Sequence, residues 1–378
     1  MLKPQFYTPG MKLILLAFLN HGVLTHLARE SKGIGIEGVF CAVMVDSPPT
    51  SGNVSNVLKS RRKFVMYMAT GLGTSLGGAT WWLSVSQQRA ARWTRRIFAD
   101  ARRGIVPAPM KPEPTKWSDS QVTLSWLGHA TILINFYGIH ILTDPALGSR
   151  VGVSLGFGTA GPKRYIAPPL KLKDFPKIDV LLLSHAHMDH MDLGTLRSFD
   201  RRAFTVTAKS TSDVLADARL KEIHELRWNE QITFKNAKGQ LQIEAVEVKH
   251  WGQRWPSEIQ RGYNGYILRR EGKAILFAGD TANTPLLREL RSRGPFEAAL
   301  MPIGAYRPWI WNHCTPEQAL EMANAAGAQY VLPIHHKTFR LSDEPMNEPI
   351  QRLETAMSDE PERLALRRIG ETFVCPSV

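Results

Sequence analysis

The sequence predicts an α+β layered fold, two β-sheets with helices on their outer faces, and three observations carry that prediction. Short strand-like runs crowd together from Val122 onward, helical runs return between the later strands, and chemistry-bearing residues fall where strands should end. Residues 122–127, 131–136 and 139–143 read as a meander with turns at Gly128-His129 and Tyr137-Gly138, closed by Asp144-Pro145. The apolar run 178–183 is a buried strand, and Leu193-Gly-Thr-Leu196 can begin a helix, so residues 184–192 form a strand-to-helix loop. Further strands are expected at 204–207, 231–235, the alternating stretch 241–248, and 330–334, and 263–269 pairs with 273–278 as a hairpin around Gly272. Helices are expected at 211–219, 283–293, 315–326 and 347–357, the third opened by Thr315 as N-cap and Pro316 in its first turn.

The 378 residues divide unevenly in charge. Residues 1–118 hold 16 Lys and Arg against 5 Asp and Glu, a net +11, leaving 31 against 29, or +2, for residues 119–378. The basic character belongs to the N-terminal region, where it argues for a membrane surface or a targeting role, and no nucleic-acid face is expected on the main domain. Cys41, Cys314 and Cys375 are too few and too far apart for a disulfide framework.

Residues 1–60 read as an extension without a clear unit, its apolar runs too short to span a bilayer. Residues 61–88 read as an export signal or membrane anchor. Ser60-Arg-Arg-Lys-Phe-Val65 resembles a twin-arginine motif, and the uncharged stretch 64–85 is long enough to cross a bilayer as a helix. Such a signal normally starts near the N-terminus, which makes an internal start such as Met44 or Met66 the working expectation. With a genuine signal the protein is exported or membrane-associated, and without one it is cytoplasmic. Residues 89–118 read as a basic helix, six arginines between Arg89 and Arg103, followed by a proline-rich linker. The domain proper occupies residues 119–378.

Four histidine- and aspartate-bearing points end predicted strands. Ser184-His-Ala-His-Met-Asp-His-Met-Asp192 follows the run 178–183, His250 follows 241–248, Asp280 follows 274–279, and His335 follows 330–334. Alternation places His185 and His187 on one side, while Asp189 and His190 follow in the turn. Five histidines and two aspartates then serve two divalent ions: His185, His187 and His250 on one, Asp189, His190 and His335 on the other, and Asp280 across both. Imidazole and carboxylate suit zinc first, with iron or manganese also compatible. Two ions about 3.5–4 Å apart acidify a shared water and stabilise oxygen charge on a substrate. Asp189 can also accept a hydrogen bond from the resulting hydroxide and orient it.

These residues resemble the metallo-β-lactamase superfamily, whose His-x-His-x-Asp-His signature stands here at 185–190. The likeness is strongest to the branch containing N-acyl-phosphatidylethanolamine-hydrolysing phospholipase D and the ascorbate-6-phosphate lactonase-like hydrolases. It rests also on Trp126-Leu-Gly-His-Ala-Thr131, Leu142-Thr-Asp-Pro145, Gly161-Pro-Lys-Arg164, His250-Trp251, Phe277-Ala-Gly-Asp-Thr281, Pro302-Ile-Gly-Ala-Tyr306, His313 before Thr315-Pro-Glu-Gln-Ala319, and Ile334-His335. The resemblance implies a four-layer αββα sandwich with the metal pair at one edge and the seven ligands named above. It implies that His313 contacts the substrate phosphate or leaving group. The implied reaction is hydrolysis of a phosphodiester, a phospholipid above all, by a metal-bridging hydroxide, or alternatively of a lactone or phosphorylated sugar. Ala186 and Met188 replace the Asn and Tyr common in the phospholipase motif, and Trp251, Arg254, Trp255, Tyr306, Trp309 and Trp311 are candidates for a lipid-accepting rim.

Overall fold

The computed structural model describes residue 100 and residues 102–154, 158–255 and 258–376. The expected extension at 1–60, the export or anchor segment at 61–88 and most of the basic helix lie outside those residues. Among the described residues no helix is long and apolar enough to cross a membrane.

In chain order the strands are β1 (Val122–Gly128), β2 (Thr131–Phe136), β3 (Ile139–Thr143), β4 (Val153–Ser154), β5 (Thr159–Ala160), β6 (Val180–Leu182), β7 (Phe204–Ala208) and β8 (Ile223–Leu226). They continue as β9 (Gln231–Asn236), β10 (Gly239–Val246), β11 (Gly265–Arg270), β12 (Lys273–Phe277), β13 (Phe296–Pro302), β14 (Ala328–Ile334) and β15 (Thr372–Val374). The helices are α1 (Leu193–Leu196), α2 (Ser212–Ala216), α3 (Leu286–Glu289), α4 (Pro316–Ala326) and α5 (Glu348–Ala356).

One sheet runs in the order β15-β1-β2-β3-β6-β7-β8 and the other β14-β13-β12-β11-β10-β9, with β4 and β5 a separate small ribbon. The first sheet is parallel across β3-β6-β7-β8 and the second across β12-β13-β14, and the remaining neighbours in both are antiparallel. Tyr137 and Gly138 (φ 50° and 86°) and Glu271 and Gly272 (φ 49° and 72°) both turn left-handed, as the tight hairpins β2-β3 and β11-β12 require.

Alternation along the strands sends side chains to two buried faces. Val180 and Leu182 of β6 join the core between the sheets while Leu181 packs outward with Leu196 and Leu215; in β13, Ala298 and Leu300 face the inner core while Ala299 and Met301 meet Met322 and Leu353. The result is the expected αββα sandwich, with α1 and α2 outside the first sheet and α3 to α5 outside the second.

Differences in the elements have local causes. The helix expected at 283–293 is one α-turn, α3, continued as a 3-10 turn at Leu290–Arg293. Strand β13 was not anticipated because Phe-Glu-Ala-Ala-Leu-Met favours helix, and burial between two parallel neighbours overrides that preference. Helix α4 starts on a full capping box, Thr315 with Gln318, and ends at Gly327 with φ 83°. The proline-bearing stretch after Arg103 lies along the domain: Val106 pairs with Ile166, and Arg103 donates to the carbonyls of Lys163 and Arg164 with its guanidinium over the Tyr165 ring.

Candidate metal centre

All seven residues nominated as ligands meet where the two sheets abut, each delivered by a strand end. The loop between β6 and α1 supplies four of them and is stitched to the opposite sheet: Asn264 N–H donates to Ser184 O at 2.9 Å, Tyr266 Oη–H to Leu183 O at 2.9 Å, and His185 bridges to Tyr263. Asp192 then caps α1, accepting from Gly194 N–H and the Thr195 hydroxyl, which stops the loop after the motif. Arg254, from the loop after β10, donates to Ala186 O at 2.8 Å and Met191 O at 3.0 Å, pinning the loop at both ends. Ala186 itself is buried among outer-core leucines, which explains how a small residue fits between two ligands.

The first group is all imidazole. His185 Nε2 lies 2.7 Å and His250 Nε2 3.3 Å from His187 Nδ1. The second group gathers on two carboxylates. Asp189 Oδ2 is 3.5 Å from His190 Nε2 and 3.4 Å from His335 Nε2, and Asp280 Oδ2 is 3.1 Å from each of those nitrogens and 3.7 Å from His250 Nε2. Asp280 therefore faces both groups.

Three of the five ligand histidines have their remote ring nitrogen tied down; His187 Nε2 and His335 Nδ1 are buried without a partner among the described residues. His250 Nδ1–H donates to Asn312 O at 2.8 Å, His185 Nδ1–H to Ser184 Oγ at 2.9 Å, and His190 Nδ1–H to Asp144 Oδ2 at 2.7 Å. Asp144 also accepts from the backbone N–H and hydroxyl of Ser184. One buried carboxylate thus orients His190 directly and His185 through Ser184, and leaves both Nε2 atoms aimed at the centre.

Two residues had no role in the sequence reading. Asp144 sits within a matching segment, but only its burial behind His190 reveals what it does. His129, in the β1-β2 turn, places Nε2 2.9 Å from Asp189 Oδ2. It too sits within a matching segment, but its place in a predicted hairpin turn says nothing of what its ring touches. His313 stands at the margin, Nδ1 4.0 Å from Asp280 Oδ2, its ring 5.1 Å from that of His250.

Burial dominates the electrostatics. It lowers the pKa of His187 and of His313 to about 4, and leaves His185 and His250 well below the usual imidazole value. For His190 and His335 burial is outweighed by Asp280 and Asp189, which push His335 up to about 9 and His190 well above its ordinary value. Burial alone would raise the two carboxyls, but His190 leads the neighbouring rings in holding Asp189 and Asp280 well below the carboxylate range.

The arrangement fits divalent metal. Among the described residues, His190 Nε2, His335 Nε2, His313 Nδ1 and Asp280 Oδ1 are buried without a hydrogen-bond partner, although several lie at ion-pair distance from a carboxylate. The donor atoms of His185, His187 and His250 lie within 4.8 Å of one another, as do those of His185, His190 and Asp280, and of Asp189, His190 and His335. Neutral imidazoles and ionised carboxylates drawn this close, without hydrogen-bond alignment, are what a borderline divalent ion satisfies.

Comparison with known proteins agrees with this geometry. Residues 140–336, just over half the chain, match the family model described as a beta-lactamase superfamily domain. An uncharacterised protein of Mycobacterium tuberculosis is 30% identical over 299 residues, 76% of this chain and 78% of its own length. The N-acyl-phosphatidylethanolamine-hydrolyzing phospholipase D 1 of Caenorhabditis elegans is 32% identical over 238 residues, 59% of this chain and 65% of its own. The fold is shared with Igni18, a metallo hydrolase of Ignicoccus hospitalis, at a TM-score of 0.52 and 22% identity over 68% of this chain and all of that one. The chain belongs to the metallo-β-lactamase superfamily, as one of its metal-dependent hydrolases.

Proposed function

We propose that the centre holds two divalent ions, zinc first among them, and hydrolyses a phosphodiester of a phospholipid of the N-acyl-phosphatidylethanolamine type. The observation that carries the reading is Asp280 Oδ2 facing a histidine triad on one side and the Asp189, His190 and His335 group on the other. His185, His187 and His250 would hold one ion and Asp189, His190 and His335 the second, with Asp280 lying between the two groups. Divalent ions bound there would supply acidification of water at neutral pH and stabilisation of negative charge on a phosphoryl oxygen.

The chain's own residues do the rest. His185, His187 and His250 stay neutral through burial and keep their lone pairs free for donation. Asp189, ionised and acceptor-only, orients the attacking water by a hydrogen bond. His313 is neutral at pH 7, and its ring N–H donates to a phosphoryl or leaving oxygen of the substrate.

The surroundings favour a lipid over a lactone or phosphorylated sugar, which the same donors could attack. Exposed apolar side chains stand on the two loops that flank the centre: Trp255 (43% exposed) and Ile259 (60%) after His250, Ile310 (38%) and Trp311 (76%) before His313. Those loops meet through Asn312 O on His250 and through Trp251, 6.1 Å from the His313 ring. Of the other rim candidates, Tyr306 turns inward to bond Glu348 at 2.8 Å, and Trp309 is half-buried. A membrane surface is the matching partner, met through the basic region 1–118 and the twin-arginine-like motif at 60–65, on the exported face of the membrane if that motif is read; no nucleic acid is expected.

The test is release of phosphatidic acid from N-acyl-phosphatidylethanolamine vesicles by purified full-length protein with zinc. Turnover no greater than that of His185→Ala removes the reading, and turnover of lactones instead would move it to the alternative substrate.

A further inference from the structure

We infer that His129 is a positioning residue of the metal centre, holding Asp189 in place by a hydrogen bond from Nε2–H to Oδ2. The inference rests on the two-metal reading of the centre and is independent of which ester is cleaved.

The turn that carries His129 is built to hold it. Gly128 and His129 both adopt positive φ, 106° and 54°, a conformation that is costly for a non-glycine residue and persists only where neighbours impose it. His129 N–H donates to Thr338 Oγ1 at 2.6 Å, and His129 O accepts from Trp126 Nε1–H at 2.9 Å and from His335 N–H at 3.0 Å. His335 is itself left-handed, with φ 63°. Two strained histidines on opposite sheets are bonded backbone to backbone, and both rings reach the same carboxylate oxygen, His129 at 2.9 Å and His335 at 3.4 Å.

Ring contacts fix its orientation. The His129 imidazole lies 4.2 Å from the His335 ring and meets Phe339 edge-on at 5.3 Å. Asp189, ionised, can only accept, so Nε2 must carry the hydrogen.

That tautomer also separates positioning from ligation. With Nε2–H on Asp189, the buried Nδ1 is left only an unfilled acceptor. Were Nε2 a metal ligand, Nδ1 would carry a buried hydrogen with no acceptor among the described residues, the costlier orphan. The structure avoids this at His185, His190 and His250, whose Nδ1–H groups all have acceptors, and not at His187, whose remote Nε2 is buried without a partner. At His335, a cavity of about 20 Å³ borders the ring, room for one water.

The experiment uses full-length protein and zinc competition against a chromophoric chelator, with metal content measured by elemental analysis. His129→Leu removes the donor at similar volume, and His129→Gln keeps an N–H that can reach Asp189. Loss of a residue that orients a ligand typically weakens metal about 10–100-fold. His129→Leu is expected to weaken the second zinc by that factor and spare the first, and His129→Gln to restore most of it. In an Asp189→Ala background, His129→Leu should cost nothing further. Two zinc ions bound by His129→Leu with unchanged affinity overturns the proposal, and so does a His129→Gln variant as weak as His129→Leu, the signature of a lost ligand. Should the Leu variant not fold, the Gln variant alone decides: zinc as in the wild type supports positioning, loss of the second ion overturns it. Failure of the underlying reading is separate, since it appears as fewer than two zinc ions in the wild type.

Discussion

On one side of Asp280 stand three imidazoles, on the other two imidazoles and a carboxylate, and the two sides carry charge in opposite ways. His185, His187 and His250 are kept neutral by burial and present ready lone pairs. His190 and His335 are driven toward the imidazolium form by Asp280 and Asp189, so in the metal-free chain protons balance the two carboxylates. On the two-metal reading proposed above, the first side can take an ion without losing a proton. The second is an ion-pair network that an ion must enter by displacing protons, so the two sides should load in that order.

The largest expected effect comes from removing the residue both sides share. Asp280→Ala leaves His190 and His335 without their main counter-charge and both groups without a common oxygen; zinc content should fall below one per chain and turnover by more than about 100-fold, beyond the loss typical of a supporting residue. Elemental analysis of the purified variant checks it. Retention of two ions would mean that the sides are independent.

Next comes the pH dependence of loading. His335 has a folded pKa of about 9 and must shed its proton to bind, so affinity of the second step should climb as pH rises from 7 to 9, by up to about tenfold per unit for each proton displaced. The first step should be nearly flat, because His187 and its partners are already neutral there. Calorimetry in buffers of different ionisation enthalpy counts the protons released. Equal release in both steps would erase the distinction.

The smallest effect is on the stability of the metal-free protein. His335, raised from 6.5 unfolded to about 9 folded, stabilises fully below pH 6.5 and loses that contribution as the pH climbs through 9. His129, His187 and His313, lowered to about 3, 4 and 4, act in reverse, and their contribution is lost as the pH falls below 6.5. Urea midpoints of chelator-treated protein should therefore peak near pH 6.5. A midpoint still rising from pH 6.5 to 9 would contradict protonated rings on the second side.

Much of this centre was legible in the sequence because ligands follow strand ends, and strand ends show in hydropathy. His185, His187, Asp189 and His190 share one loop, while His250, Asp280 and His335 each follow an apolar or alternating run, so no knowledge of pairing was needed to nominate them. His129 and Asp144 were not legible as site residues, because their importance lies in which ring nitrogen or carboxylate they touch across the sheets. Nor were β8 and β15 legible, edge strands of four and three residues too short to show a pattern, the second paired with β1 at the other end of the domain. Exposure was equally hidden: nothing in the sequence separates Trp311, on the surface, from Tyr306, which is buried.

The donors come from both sheets, four from the loop after β6 and one each from the ends of β10, β12 and β14. Metal at this seam is therefore a rivet through two plates. Parting the sheets along this edge would break coordination at every ion, so the rate at which the seam opens sets the slowest rate at which bound metal can be lost without a chelator reaching in. Slow amide exchange at the paired backbones of His129 and His335 and slow release of metal become two readings of one hinge.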